Sequence, residues 1–472
     1  MLSHPMRRPI CFIMAILGSP SAIWEKVCEN GVATCRSRTH QCNSLFLDLM
    51  GHARGQQSME CRRRHLGLKF VRKVLRVCVL RPPREFWAIL VHAVLYAARP
   101  IVLIRLGELE SRKIGHFSLP AETYLAECSM GIHNDSRRTL DLWYFDREVS
   151  NSFLADRWRQ RFRVVPRILV QPCHLRMLSK TPNSPHLTPF RHWRTTFDWN
   201  AVDIYGVTSR TASSITFGAD EELKGWAAAT RLGLDPRVPY VCFMARDHAF
   251  ADISHGPGFR DSRIQDSLPA MQALVERGVT CVRVGKVVSE ELKSNNPRIV
   301  DYPYSAIRSD FMDLFLIAHA RFMVSTATGI DQVAAIFRVP LVLVNVADWG
   351  NTDLHTAEQL PLFIPKKLFS INLQRNLSCA EITSLGAQEW QYEKLFQESG
   401  IEIVNNSPDE IKDTVLEMLD RVNGSWSPSR ADAMHQDRFE RLKPQKAASR
   451  RQIHAAIGTG FLRRNPGFLD GT

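Results

Sequence analysis

From residue 101 onward, short apolar runs alternate with amphipathic stretches of helical length, a pattern of strands laid between helices. Runs at 101–105, 142–145, 164–170 and 202–205 predict strands, and 119–130 and 150–162 predict the helices between them. Residues 171–199, bearing Pro and His, predict a loop. A second unit starts after Leu234-Asp235-Pro236, with strands expected at 240–245, 279–284, 321–325 and 341–345. Helices are expected at 264–277, 310–320 and 329–338, the first of them stopped by Gly278. Residues 408–422 predict a further helix, 423–451 a polar segment, and 461–466 a closing element. Strands and helices alternating at this spacing make parallel sheets with right-handed crossovers. The expected fold class is α/β, with two facing Rossmann-like domains and a cleft between them. The expected boundaries are a basic, Cys-containing leader at 1–84, a first domain at 85–235, a second at 236–425 and a tail at 426–472.

Composition supports a soluble enzyme: among 472 residues, 44% are apolar and 23% charged, which excludes a mainly disordered or polytopic membrane chain. The formal charge of +13 would by itself suggest nucleic acid. Residues 1–100, however, hold 16 Lys and Arg against 5 Asp and Glu, so the remaining body is nearly neutral and no nucleic-acid partner is expected. Residues 1–22 imitate a secretory signal, but the apolar run at 10–17 is short for one. The apolar stretch 86–98 is too short for the roughly 20 residues a bilayer crossing needs. It follows a dense run of cations and reads either as a core helix with a solvated basic neighbour or as a segment held on an anionic membrane surface. Six of eleven cysteines lie in the first 80 residues, with no Cys-x-x-Cys anywhere. That usage fits a reducing compartment, so the expected location is cytoplasmic, peripheral on the inner face of the membrane, and no metal site is expected.

The sharpest local signal is Ser325-Thr326-Ala327-Thr328-Gly329, between an apolar strand and an amphipathic helix, where backbone N-H groups and hydroxyls suit a diphosphate; an ordinary helix cap is the competing reading. Arg246, with Asp247 after it, ends the first strand of the second unit, and Arg260, Arg283 and Lys286 accumulate on following elements. Cations repeated at the carboxyl ends of strands argue for an anionic ligand. In the first unit Gly115 and His116 follow the first strand, so His116 is a candidate general base and Glu108 the competing one, with His133, Asn134 and Asp135 a weaker option. Asp247, Asp310 and Asp331 are candidate donor or acceptor contacts, Asp331 equally a helix-dipole residue. There is no Walker loop, Gly-x-Gly-x-x-Gly, nucleophile elbow or Asp-x-Asp pair, so transfer without metal or covalent nucleophile is favoured.

These pieces, in this order, resemble uncharacterised bacterial glycosyltransferases of the GT-B type. The resemblance runs from about residue 101 to 466 and is carried by Ile104-Arg105-Leu106-Gly107 with Ile114-Gly115-His116, Arg246-Asp247, Phe259-Arg260-Asp261-Ser262, Leu268-Pro269-Ala270, Val282 to Lys286, Asp301-Tyr302, Ser309 to Asp313, Ser325 to Asp331 and Phe461-Leu462. It departs from the family pattern at Met244, where His is usual, and at Asp261, where Asn is expected. The resemblance implies a nucleotide-sugar donor held by the second domain, a glycan or glycolipid acceptor on the first, and no cofactor beyond the nucleotide-diphosphate sugar as co-substrate. By analogy with two-lobed proteins the tail returns toward the first lobe. Two other readings stay open: a nucleotide-sugar epimerase on the same fold, and a non-catalytic surface-binding protein using the basic leader.

Overall fold

The computed structural model describes residues 81–472 except 136, 191–202, 248, 250–257, 351–360, 444–454 and 472. Residues 84–472 form one compact unit, separate from residues 1–83, so the leader lies almost wholly outside the described residues.

The first half of this unit opens with α1 (Arg81–Ala98) and β1 (Leu103–Leu109), followed by α2 (Ile114–Ser129), β2 (Thr139–Phe145), α3 (Ser152–Arg161), α4 (Arg167–Lys180) and α5 (Ala219–Arg231). β1 and β2 pair in parallel, and single bridges from Leu187 to β1 and from Val164 to β2 widen this small sheet. Residues 164–170 and 202–205, expected as strands, depart from expectation. Val164 makes only a bridge, because Pro166 starts α4 at once. Val202 is outside the described residues, and Asp203 folds its carboxylate onto the N-H groups of Val207 and Thr208, making a turn. The expected loop at 171–199 begins instead as the rest of α4.

The second half follows the expected alternation closely. It contains β3 (Tyr240–Phe243), α6 (Leu268–Glu276), β4 (Thr280–Arg283), β5 (Ile299–Asp301), α7 (Asp310–Ala318), β6 (Met323–Ser325), α8 (Asp331–Ile336), β7 (Leu341–Val346) and β8 (Leu362–Pro365). β9 (Lys367–Ser370), β10 (Arg375–Asn376), α9 (Cys379–Leu385), α10 (Glu393–Glu398) and β11 (Ile401–Val404) follow, then α11 (Pro408–Val422), α12 (Arg430–Leu442), β12 (Ala456–Ile457) and α13 (Thr459–Arg464). The main sheet is seven-stranded and parallel, in the order β12-β8-β7-β6-β3-β4-β5. Every residue of β3, β4, β6, β7 and β8 is buried, as a parallel sheet covered on both faces requires. The chain runs outward from β3 to β4 and β5, then returns to lay β6 on the other side of β3. That reversal is the topological switch of a doubly wound α/β sheet.

Among the described residues, the tail packs on the second half rather than returning to the first. β12 pairs with the edge strand β8, and Phe461 and Leu462 of α13 are fully buried in the second half's core. An unpaired parallel edge and a remaining apolar face hold it there.

Candidate functional site

The switch point brings two strand ends together. β3 continues into Met244-Ala245-Arg246, β6 into Thr326, and the Arg246 N-H donates to Thr326 Oγ1 at 2.9 Å. The next strands outward deliver Asp348 after β7 and Lys366 after β8, both buried. Lys366 Nζ donates to the Asp261 carbonyl at 2.8 Å, tying the loop that carries Arg260 to the same edge. From the first half, the segment after β1 supplies Glu110, and Lys113 caps α2 one turn before His116. His116 Nδ1 lies 3.4 Å from the Glu110 carboxylate, both side chains largely buried.

Electrostatics show that these groups share one place. Burial holds the Lys113 ammonium below the usual lysine range; Glu110 opposes this, while Arg260, Arg112 and Arg246 reinforce it. Burial also lowers Arg246, with Arg260 adding to the effect and Asp261 and Asp348 opposing it. Lys366 is pushed down to about 8 by burial, against the pull of Asp261, Asp348 and Glu393. Burial raises Asp348 in spite of Arg260, Arg246 and Lys366 nearby. Arg246 and Arg260 of the second half thus act on Lys113 of the first across the cleft, and like charges held this close favour a polyanion between them. A cavity of about 680 Å³, lined in part by Phe259, Asp261, Lys366, Glu393 and Phe396, adjoins the cluster.

The expected site residues divide by position. Arg246 and Arg260 are in the cluster. The Ser325 to Gly329 loop adjoins it, and several of its polar groups are engaged within the loop or with Arg246. Asp331 accepts from the Thr328 N-H at 2.6 Å and from Thr328 Oγ1 at 3.1 Å. Ser325 Oγ lies 3.3 Å from Thr328 Oγ1, and Thr326 Oγ1 accepts from Arg246. Asp331 is wholly buried and raised to about 7 by burial, with Ser325, Thr328 and Arg260 opposing. Gly329 packs backbone to backbone on Gly115, so the glycines serve as the contact between halves.

Arg283 is corrected to an interior role. It is 1% exposed and donates to the Glu290 carbonyl at 2.5 Å and to Asp301, its partner across the sheet. Lys286 bonds the Ser150 carbonyl at 2.9 Å and Asp310 at 3.2 Å, and Asp310 also accepts from the Ser152 N-H. This pair joins the two halves, and does not line the cluster. Asp247 accepts from the N-H groups of Ala249 and Ser289 and fixes the loop after β3. Glu108 is buried in β1 opposite Tyr144, one residue before the strand ends. His133 pairs with Glu127 at 2.6 Å and Asp135 with Arg137, both local contacts. Met244 packs on Gly285 at the sheet.

Sequence reasoning missed Glu110, Lys113, Asp348 and Lys366. Lys113 stands in a motif that was noticed, three residues before His116. Lys366 follows β8, a strand absent from the expected pattern, so its place at a carboxyl end had no frame.

No family model matches the chain, and no curated protein does. Among solved structures, it is similar to the E. coli ADP-heptose LPS heptosyltransferase II at 11% identity and a TM-score of 0.31, over 51% of this chain and 84% of that one. It is similar to E. coli heptosyltransferase WaaC with ADP at 14% identity and 0.29, over 56% and 91%. The UDP-GlcNAc 2-epimerase from Methanocaldococcus jannaschii matches at 10% and 0.24, over 59% and 70%. Likeness at this level assigns no activity to this chain.

Proposed function

We propose that the protein is a glycosyltransferase that takes a sugar from a nucleotide-diphosphate donor and passes it to a hydroxyl of a glycan or glycolipid acceptor. The observation that carries this reading is the cation cluster of Arg246, Arg260 and Lys113, drawn from both halves at the switch point of the sheet. A nucleoside diphosphate leaves with growing negative charge, and preorganised cations in a buried cleft stabilise that charge. The adjoining cavity has the volume of a small-ligand site and suits the nucleoside.

In the step itself, the acceptor oxygen forms a bond to the anomeric carbon and the bond from that carbon to the phosphate oxygen breaks. The electron pair leaves on the nucleoside diphosphate. His116, oriented by Glu110, takes the hydroxyl proton where the reaction uses a protein base. Motif order, given above, supports the same reading independently of the cluster.

Carboxylates at the same edge, Asp261, Asp331 and Asp348, favour one rival, a nucleotide-sugar epimerase, which needs acids around the sugar. A thermal-shift screen of nucleoside diphosphates and their sugar esters tests the shared site. Stabilisation should appear in the wild-type protein and vanish in an Arg246→Ala/Arg260→Ala variant; a screen with no stabilising diphosphate would sink both readings. Nucleotide release only when acceptor is added supports transfer, and conversion of the donor into an epimeric nucleotide sugar without acceptor supports the epimerase.

A further inference from the structure

The helix α1 is apolar on both sides. Ala88 and Leu95 are buried against Leu106, Tyr144, Val170, Cys173 and Met177, forming a small core of its own with α4. The opposite side carries Phe86, Ile89, Leu90, Val94 and Tyr96, all exposed, Phe86 by 70%. A surface helix of a globular protein ordinarily turns polar residues outward. α4 lies against α1, the Trp87 indole N-H donating to the Leu169 carbonyl at 2.8 Å and Arg176 facing Glu85. It adds Ile168, 79% exposed, with Leu169 and Leu175. The result is eight large exposed apolar side chains on two adjoining helices, a concentration that marks an interaction surface.

Charge selects the occupant. Residues 61–84, which lead into α1 and include its first turn, contain nine Lys and Arg and no Asp or Glu. Arg99, Arg167, Arg176 and Lys180 stand on or beside the two helices. Among the described residues no helix is long and apolar enough to cross a membrane. An apolar face with aromatic side chains, on a helix preceded in the sequence by a run of cations and not apolar enough to cross a membrane, matches an interfacial element lying in the plane of an anionic bilayer. We propose that the α1 and α4 face docks on an anionic lipid surface, with Phe86, Leu90, Val94 and Ile168 entering the boundary between headgroups and chains. This surface shares no residue with the cation cluster, so it stands whether or not the transfer reading does.

The test uses the full chain and sedimentation with vesicles of phosphatidylcholine alone or phosphatidylcholine and phosphatidylglycerol in equal parts. Wild type should bind the anionic vesicles and leave the neutral ones largely in solution. A Phe86→Glu/Leu90→Glu/Val94→Glu variant should bind about a hundredfold more weakly, since each exposed side chain contributes apolar burial that a carboxylate replaces with repulsion. Ile168→Glu alone, on the other helix, should weaken binding about fivefold or more with an unchanged melting temperature, which keeps the test valid if the triple variant folds poorly. Full vesicle affinity in both variants would overturn the proposal and leave the leader as the binding element. Absence of vesicle binding by wild type would overturn it too. So would a concentration-dependent dimer that both variants abolish while vesicle binding persists, because the face would then belong to a second copy.

Discussion

Substituting Gly115 by Ala sets two effects of opposite sign against each other. Gly115 sits in the first turn of α2 without a positive φ, so by helix propensity alone Ala should stabilise by up to about 1 kcal/mol. The added Cβ, however, would lie 2.9 Å from the Gly329 Cα and 3.0 Å from its carbonyl oxygen. Both atoms are backbone, held by the Asp331 and Thr328 bonds, and cannot swing aside as a side chain end would. Overpacking of this kind costs about 1–3 kcal/mol, so a net loss of about 1–2 kcal/mol is expected. For a unit as long as residues 84–472 that is a fall in melting temperature of about 1–3 °C. The reciprocal change, Gly329→Ala, meets the Gly115 N at 3.1 Å and the Ile114 Cγ2 at 3.4 Å, a looser fit, and should cost less. If the first substitution has already parted the halves, the second adds little, and a double-mutant cycle should show a coupling of about 0.5 kcal/mol or more. Urea unfolding of the four proteins measures this. Because Lys113 and His116 flank Gly115 in the same turn, donor affinity and turnover should fall with stability. A Gly115→Ala protein as stable as wild type, or more so, would refute the claim that this contact fixes the halves.

Four further outcomes are expected. Arg246→Ala and Arg260→Ala should each weaken donor binding by tenfold or more in calorimetry, since a charge-assisted bond is worth about 1.5–3 kcal/mol, whereas Lys286→Ala should leave it nearly unchanged because Lys286 is engaged with Ser150 and Asp310. His116→Ala should lower turnover about a hundredfold with little change in donor affinity, and Glu110→Gln should lower turnover less; equal loss of affinity and turnover would make His116 a binder. Arg338→Met should destabilise by about 3–5 kcal/mol, because it leaves Glu122 buried at 0% exposure without its 2.8 Å partner, and adding Glu122→Gln should recover much of that in urea unfolding. Asp331 has a folded pKa of about 7 against 3.8, so the folded state binds more protons, and its contribution is present below about 4 and lost as pH rises through about 7; Asp331→Asn should flatten the stability profile across that window.

The second half was legible because its strands are buried on both faces. Continuous apolar runs such as Tyr240–Phe243 and Leu341–Val346 have few other readings, and Gly278 ends its helix with a φ of 85°. The first half was less so: Pro166 and Asp203 each turn a strand-like run into something else through a single backbone or side-chain bond, which composition does not reveal. The site followed the same division. Arg246 stood out because it follows a strand end, where ligands bind in such sheets, and Arg260 because it lies on the connection after it. Arg283 was misjudged because its register partner, Asp301, lies eighteen residues on, and only the pairing of β4 with β5 brings them together. Lys366 and Asp348 depended on strands and turns that tertiary packing, and no local signal, defines.

Cations and acids offset one another at the sheet edge. Four cations, Lys113, Arg246, Arg260 and Lys366, stand among four acids, Glu110, Asp261, Asp331 and Asp348, and burial shifts Asp331 and Asp348 toward their neutral forms. The balance is uneven in space. Asp331 is turned toward its own loop, Glu110 toward His116, and Arg246 lies 3.7 Å from Asp261; an incoming diphosphate would add negative charge beside the two arginines and Lys113 and offset their mutual repulsion. Relief of that repulsion should raise the depressed Lys113 and Arg246 back toward their ordinary range, and the same added negative charge should push Asp331 and Asp348 further up. Ligand binding is therefore linked to proton uptake at this edge. The carboxylates at this edge also set how strongly the affinity for a diphosphate depends on pH.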